Sequence, residues 1–169
     1  GGSGIRIVKK RDEIAQALKS CRAEALAAFG DQNVYVERLI ERARHVEVQV
    51  VADGRGGVIH LWHRECSLQR RNQKIIEIAP AYNLDPTLRT AICDAAVKIG
   101  RHAGYENAGT VEFLVDTETG KFYFIEVNPR IQVEHTVTEQ VTGVDVVQTQ
   151  ILITQRVPLS DPSIRLGDQ

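Results

Sequence analysis

The feature that most constrains the fold is a pair of adjacent strand patterns joined by a short polar turn. Thr110–Asp116 and Phe122–Asn128 are rich in β-branched and aromatic residues, which favour strands. A hairpin that is symmetric about the middle of the turn places Glu112 directly opposite Glu126. Asn128 shares the face of Glu126, because side chains along a strand alternate between the two faces. The sequence therefore predicts two carboxylates and an amide on one face of a sheet.

This arrangement predicts a site for a divalent metal ion. Two directly opposed carboxylates repel each other unless a cation lies between them. Two carboxylates and an amide oxygen form an all-oxygen ligand set that suits Mg²⁺, whose remaining ligands are phosphate oxygens and water. The alternative interpretation is an exposed polar face that carries Glu112 and Glu126 by chance.

The residues directly after Asn128 add an anion clamp and a candidate base. Arg130 offers a planar fork for carboxylate, bicarbonate or phosphate. Glu134 is a carboxylate beyond it that could act as a base. We expect His135 to be a hydrogen-bonded structural residue rather than a catalyst. A metal pair, an anion clamp and a base so close in sequence are typical of a phosphoryl-transfer site.

A second charged run extends from Arg64 to Lys74. Such runs usually lie on solvated faces, which is the expectation for Arg70 and Arg71. Lys74 precedes a β-branched run, where a lysine is a good point charge for phosphate or bicarbonate. Cys66 has no sequence neighbour with which to form a zinc site.

The remaining pattern predicts an α+β domain with a largely antiparallel sheet. The helix signals are apolar periodicity, a C-cap glycine and an Asp-Pro start, and the strand signals are alternation next to glycine-rich turns. The predicted elements are a helix over Asp12–Phe29 capped by Gly30, a short strand over Val34–Arg38, a hairpin of His45–Ala52 and Val58–Arg64, a helix starting at Asp85-Pro86, and a helix from about Asp145 to Thr154.

Composition excludes several classes of partner. The formal net charge of −1 gives no reason to expect a nucleic acid or an anionic membrane as partner. No apolar run approaches the roughly 20 residues that a membrane helix needs. Three widely spaced cysteines predict a reduced intracellular setting, either cytoplasm or mitochondrial matrix. The chain opens on Gly1–Gly4 and ends in a segment rich in proline and glycine, so we expect an excised piece of a longer protein, although Gly1–Gly4 could also be a linker.

These segments together resemble the biotin carboxylase module of biotin-dependent carboxylases, which has the ATP-grasp fold, and they are most similar to pyruvate carboxylases. The resemblance runs from Gly1 to about Gln155. It predicts a partial ATP-grasp domain over residues 1–155 and a segment over 156–169 that leads to a C-terminal subdomain. The stretches that carry it are Arg44–Val50, Glu65–Lys74, Asn107–Phe113 and Glu126–His135, with Thr136–Glu139 after them.

The resemblance implies an ATP-dependent ligase. ATP phosphorylates bicarbonate to carboxyphosphate, and CO₂ then passes to N1 of a biotin held on a separate carrier domain or subunit. A carboxyltransferase domain delivers the carboxyl group to the final acceptor, and the parent protein is expected to be a homo-oligomer. An acetyl- or propionyl-CoA carboxylase subunit, another ATP-grasp ligase such as a carbamoyl phosphate synthetase, and a non-catalytic scaffold fragment remain alternatives.

The resemblance also assigns roles to residues. Glu134 is implied as the base that deprotonates bicarbonate, while Arg130 also steadies the biotin enolate. The implied Mg²⁺ or Mn²⁺ ligands are Glu112, Glu126 and Asn128, and the implied bicarbonate ligands are Lys74, Arg130 and the backbone at Val133. The implied ATP contacts are Glu37, Arg38, Leu39 and Ile40 at the adenine, His45, Gln69 and Asn72, and Gly1 and Gly2 of the phosphate loop.

The match has departures. Many family members have His at the position of Asn72, and the family loop usually carries Arg where this chain has Ser3. The family's upstream nucleotide-binding lysines and its biotin-contacting arginine lie outside these 169 residues. We therefore expect the isolated chain to have little or no carboxylase activity.

Overall fold

The computed structural model describes residues 4–164 and divides the chain into two units. The first unit comprises the residues up to Glu41 together with Arg70–Gln73, and the second comprises Arg42–Gln69 and the residues from Lys74 onward. Within the described residues, no helix is both long and apolar enough to cross a membrane.

The first unit is built on one helix. A 3₁₀ turn at Arg11–Glu13 leads into α1 (Ile14–Phe29), which ends at Gly30 in the left-handed region with φ of 72°. Only glycine adopts this conformation without a steric penalty, so the predicted C-cap is confirmed. The predicted strand at Val34–Arg38 is wrong, because this segment is irregular and mostly exposed. A β-branched stretch forms a strand only where a neighbouring strand accepts its backbone hydrogen bonds.

The second unit contains an antiparallel sheet, as predicted. Its five strands lie in the order β3-β2-β1-β4-β5. The strands are β1 (Ala43–Asp53), β2 (Val58–Arg70), β3 (Gln73–Ile78), β4 (Glu106–Asp116) and β5 (Phe122–Asn128). The β1–β2 hairpin is confirmed, and β2 extends through the charged run to Arg70.

The register of the β4–β5 hairpin is the one that matters for the predicted metal site. Glu112 lies opposite Glu126, and Thr110 lies opposite Asn128, as symmetric pairing requires. A bulge at Ile125 then shifts the register, so that Phe113 faces Phe124. The prediction is therefore correct for the half of the hairpin away from the turn and wrong by one residue for the half next to it.

Three helices complete this unit. The predicted helix α2 (Pro86–His102) is N-capped by Asp85, and α4 (Val146–Thr154) by Asp145. Sequence reasoning missed α3 (His135–Thr142). Five of its eight residues are Thr or Val, which are poor helix formers, so tertiary contacts such as that of buried Thr138 override the local preference.

Strand β1 is buried on both faces. Val46, Val48 and Val50 pack with residues of α2 in one apolar cluster. Val51 belongs to a second cluster that contains Ile153 of α4. Glu47 and Gln49 alternate with the first group of valines and are likewise fully buried. Polar residues on this second face must therefore find partners inside the protein.

Candidate active site

The most deeply buried part of the site is an ion pair between Glu47 of β1 and Arg64 of β2. Glu47 and Arg64 have no exposed side-chain surface, and Arg64 Nε donates to Glu47 Oε1 at 2.5 Å. A buried charge is tolerated only when it is paired and hydrogen-bonded, and here both members are. The second oxygen of Glu47 is left to accept from Lys74.

Lys74 joins three carboxylates. Its ammonium group contacts Glu47, and it donates to Glu112 Oε1 at 2.9 Å and to Glu134 Oε1 at 2.7 Å. Burial alone would lower the pKa of Lys74, but the charge of Glu47 and the hydrogen bonds to the carboxylates raise it well above its ordinary value. Lys74 is therefore a fixed positive charge at any physiological pH.

Glu112 accepts hydrogen bonds from four side chains. His45 Nε2 lies 2.6 Å from one carboxylate oxygen. The other oxygen accepts from Lys74 at 2.9 Å, from Asn128 at 2.9 Å and from Gln132 at 3.3 Å. Burial would raise the pKa of Glu112, but the hydrogen bonds from His45 and Lys74 outweigh it and lower the pKa to about 2.

The tautomer of His45 follows from its neighbours. Gln69 Nε2 lies 2.7 Å from His45 Nδ1 and 2.7 Å from the Cys66 carbonyl oxygen. Because the carbonyl oxygen can only accept, the Gln69 side chain is oriented with its amide nitrogen toward the His45 ring. An amide nitrogen only donates, so Nδ1 accepts and Nε2 carries the proton that is donated to Glu112. His45, held by Gln69, therefore orients Glu112, while the ATP contacts predicted for His45 and Gln69 stay predictions.

The predicted metal ligands meet on one face of β4 and β5. Asn128 Nδ2 donates to Glu112 at 2.9 Å and to exposed Glu126 at 3.4 Å. The cluster contains two cationic side chains, those of Arg64 and Lys74, which pair with Glu47, Glu112 and Glu134. The carboxylate of Glu126 joins it through Asn128, so two formal negative charges remain unbalanced. A divalent cation supplies the missing charge, and carboxylate oxygens with the Asn128 amide oxygen suit Mg²⁺ or Mn²⁺. The residues therefore fit the predicted metal.

Glu134 lies at the N-cap position of α3, directly above Lys74. Burial would raise its pKa, but the hydrogen bond from Lys74 lowers the pKa below its ordinary value, so Glu134 is an ionised carboxylate at neutral pH. The ring of His135 lies 2.7 Å from the Gln132 carbonyl oxygen, which agrees with a structural role.

The predicted bicarbonate ligands are only partly brought together. Lys74 is inside the cluster, whereas Arg130 is exposed and donates to the Ile131 carbonyl oxygen at 3.1 Å. Val133 has 89% of its surface exposed. Arg70 and Arg71 are exposed, as expected for a solvated face. Arg64 at the start of the same run is fully buried, so the solvated interpretation does not extend to it.

Sequence reasoning missed Glu47, Arg64 and Gln132. An alternating strand usually has one exposed face, and the pattern of β1 carries no sign that its polar face is also covered. Gln132 is 8% exposed, and its Oε1 has no hydrogen-bond partner among the described residues. This buried acceptor beside Glu112 is a group that a ligand can satisfy.

Cys66 also has neighbours that its sequence position does not reveal. Its sulfur lies with oxygens of Glu47 and Glu134 in a group whose atoms are within 4.8 Å of one another. The expectation that Cys66 has no potential co-ligand nearby is therefore wrong in space, although correct along the chain. Burial raises the pKa of the Cys66 thiol, so it remains protonated and is a poor zinc ligand.

The remaining predicted nucleotide contacts lie elsewhere in the chain. Residues 37–40 of the first unit form an irregular segment. Asn72 is the second of two residues with positive φ, 52° and 62°, at the turn between β2 and β3. Gly1 and Gly2 fall outside the described residues. The roles of all these positions in nucleotide binding stay predictions.

The low pKa of Glu112 predicts acid sensitivity. A folded-state pKa of about 2 lies below the ordinary value of 4.5, so ionised Glu112 stabilises the fold above pH 4.5 and loses this contribution as the pH falls toward 2. The shift corresponds to about 3 kcal/mol at most. Urea denaturation at neutral pH and at about pH 3 should show a smaller pH effect for Glu112→Gln than for wild type. Glu106→Gln on the same strand should behave like wild type, and equal pH effects in all three proteins would contradict the prediction.

Comparisons with known proteins identify the family and the fold. A family model described as "Carbamoyl-phosphate synthase L chain, ATP binding domain" matches residues 1–161. The pyruvate carboxylase of Bacillus subtilis is 54% identical over 169 residues, which is 100% of this chain and 14% of that protein.

Two solved structures show a similar fold. A complex of biotin carboxylase with β,γ-ATP from Campylobacter jejuni has a TM-score of 0.91 at 46% identity, over 98% of this chain and 37% of that chain. The biotin carboxylase domain of Hydrogenobacter thermophilus 2-oxoglutarate carboxylase, solved with MgADP, ADP and bicarbonate, has a TM-score of 0.88 at 46% identity, over 98% and 37% of the two chains. The predicted ATP-grasp fold is confirmed. The chain spans about one seventh of the length of the B. subtilis relative that it matches.

Proposed function

The chain belongs to the family of ATP-binding domains described for the carbamoyl-phosphate synthase L chain, and we propose that it is the biotin carboxylase part of a pyruvate carboxylase-like enzyme. The reaction is the carboxylation of biotin with ATP and bicarbonate through carboxyphosphate. The observation that carries the proposal is Lys74, a fixed cation that contacts both Glu112 of the metal face and Glu134.

Glu112, Glu126 and Asn128 hold Mg²⁺ or Mn²⁺ in this proposal. When bound, such an ion would supply positive charge against the negative charge that develops during phosphoryl transfer. Asn128 directs its amide nitrogen toward Glu112 and Glu126, so the amide turns over to offer its oxygen. His45 fixes the orientation of Glu112 from the other side.

Lys74, Arg130 and the backbone at Val133 bind bicarbonate, and Glu134 accepts its proton. An anion at Lys74 shares the ammonium group with Glu134 and so weakens the contact that lowers the pKa of Glu134. Glu134 thereby becomes a stronger base when its substrate is in place. The bicarbonate oxygen then attacks the γ-phosphorus of ATP, and ADP leaves. Carboxyphosphate splits into CO₂ and inorganic phosphate, and the phosphate takes the N1 proton of biotin. The resulting biotin enolate, which Arg130 steadies, attacks CO₂ through N1.

The nucleotide contacts in this proposal are those that the family resemblance implies. Glu37–Ile40 contact the adenine, His45, Gln69 and Asn72 make further contacts, and Gly1 and Gly2 cover the phosphates. The free state of Cys21, Cys66 and Cys93 is consistent with an intracellular location, in the cytoplasm or the mitochondrial matrix. The further partners are a biotin carrier domain and a carboxyltransferase domain in a homo-oligomeric parent. An acetyl- or propionyl-CoA carboxylase has the same requirements at this site and is the alternative.

The isolated chain should turn over little. Family resemblance places the biotin-contacting arginine and further ATP-binding lysines outside these residues, so the 169 residues carry only part of the catalytic set. A coupled assay of ADP release with bicarbonate and free biotin measures this activity. Robust turnover by the 169 residues alone would contradict the expectation.

Removal of Lys74 should strongly weaken bicarbonate binding. In the presence of saturating Mg·ADP, bicarbonate at tenfold excess over its Kd should stabilise the wild-type chain by about 1.4 kcal/mol. Lys74→Met should lose most of this increment, because the anion loses the buried ammonium group that pairs with it. Thermal or urea unfolding with and without bicarbonate gives the readout, and Lys121→Met, at an exposed lysine, is the matched control. A retained increment in Lys74→Met would rule out the proposed anion site.

A further inference from the structure

Arg64 is fully buried, and its side-chain hydrogen bonds go to residues other than the proposed metal ligands. We propose that Arg64 is a positioning residue that sets the relative placement of Lys74 and Glu134, an inference that rests on the function proposed above. The ion pair with Glu47 alone would give Arg64 a purely stabilising role. The other hydrogen bonds of its guanidinium group indicate a positioning role as well.

The guanidinium group of Arg64 connects three elements. Besides Glu47, it donates from Nη1 to Gln49 Oε1 at 2.9 Å and to Thr138 Oγ1 at 2.8 Å, and from Nη2 to Thr110 Oγ1 at 3.2 Å. With the bond from Nε to Glu47, four of its five N–H donors are used. These partners lie on β1 and β4, which carry Glu47 and Glu112, and on α3, whose N-cap residue is Glu134.

Two series of contacts connect Arg64 to the Lys74–Glu134 pair. Through Glu47, Arg64 fixes the carboxylate that holds the ammonium group of Lys74. Through Thr138, it holds the first turn of α3, and Glu134 lies four residues earlier on the same helical face. Arg64 therefore contacts the immediate support of both members of the Lys74–Glu134 pair.

The planar geometry of the Arg64 guanidinium group matters here as well as its charge. A guanidinium group presents donors in fixed, planar directions, whereas a lysine ammonium is a compact point charge. Arg64→Lys keeps a positive charge beside Glu47, but it cannot reach Gln49, Thr110 and Thr138 in the same geometry. Loss of such supporting contacts lets the groups above them drift, and shifts of about 1 Å in a site reduce its function strongly.

The test uses two buried threonines of the same chain. Thr138→Val removes the hydroxyl that accepts from Arg64, while Thr149→Val removes a hydroxyl on α4 that donates to the Asp145 carbonyl oxygen. Both residues are buried, at 1% and 3% exposure, so the two substitutions are matched in shape and environment. For each variant, stabilisation by Mg·ADP, and by bicarbonate at saturating Mg·ADP, gives two separate Kd values.

We expect Thr138→Val to weaken bicarbonate binding about fivefold, the size of one hydrogen bond, and to leave the Kd of Mg·ADP unchanged. Arg64→Lys should weaken bicarbonate binding about tenfold or more. Thr149→Val should bind both ligands like wild type. If Thr138→Val and Thr149→Val lose similar stability and both bind bicarbonate normally, Arg64 is only structural and the inference is overturned. If Arg64→Lys does not fold, the threonine pair decides alone. If wild type binds Mg·ADP but shows no response to bicarbonate, the proposed function itself fails, and the inference with it.

Discussion

Arg64→Met is expected to lower the free energy of unfolding by about 3–5 kcal/mol, because it breaks a fully buried ion pair and leaves Glu47 with only the less buried Lys74 as counter-charge. Methionine keeps most of the side-chain volume, so the loss reports charge and hydrogen bonds rather than a cavity. Gln49, Thr110 and Thr138 also lose their donor, and each unsatisfied buried acceptor adds to the cost. Urea denaturation at neutral pH measures the change.

Two further variants separate this explanation from a general loss of packing. Arg64→Met combined with Glu47→Gln removes both charges, and replacing a whole buried pair is much less costly than breaking it. The double variant should therefore recover a large part of the stability. Arg44→Met, which breaks the more exposed pair with Glu65 on the same two strands, should cost clearly less. A double variant as unstable as Arg64→Met alone would contradict this explanation.

Glu112→Gln should remove most of the stabilisation that Mg·ATP gives the folded chain. At hundredfold excess over Kd, a ligand stabilises the folded state by about 2.7 kcal/mol. The substituted side chain would offer one neutral amide oxygen in place of a carboxylate, and a hundredfold weaker affinity reduces the increment to about 0.4 kcal/mol. Unfolding with and without Mg·ATP gives this difference independently of the variant's own stability.

Glu106→Gln is the control for Glu112→Gln, since Glu106 lies on the same strand and is exposed. Glu126→Gln should also reduce the increment, because Glu126 lies opposite Glu112. If Glu112→Gln and Glu126→Gln both keep the wild-type increment, the assignment of the metal ligands is wrong.

Local features of this protein could be predicted from its sequence. The β4–β5 hairpin and the cap at Asp85 depend on residues that are neighbours along the chain, so strand propensity and capping rules were sufficient. The opposition of Glu112 and Glu126 followed from the same local register. The bulge at Ile125 did not, because a one-residue shift leaves no clear mark in the pattern.

The centre of the site could not be predicted, because its contacts join distant parts of the chain. Lys74 meets Glu47 and Glu134 across separations of 27 and 60 residues. The burial of Arg64 depends on Thr138 of α3, a helix whose own residues favour strands. Family resemblance named Lys74 and Glu134, but only the fold shows that a buried arginine lies beneath both.

Bicarbonate at Lys74 should lie beside the metal–nucleotide complex, and a paramagnetic metal ion can report this proximity. Mn²⁺ is paramagnetic and can replace Mg²⁺, so Mn·ADP bound to the chain should broaden the ¹³C resonance of labelled bicarbonate that binds next to it. We expect broadening well beyond that caused by Mn·ADP without protein, and its loss in Lys74→Met. Broadening no greater than in the protein-free sample, under conditions where Mn·ADP is bound to the chain, would contradict the proposed site.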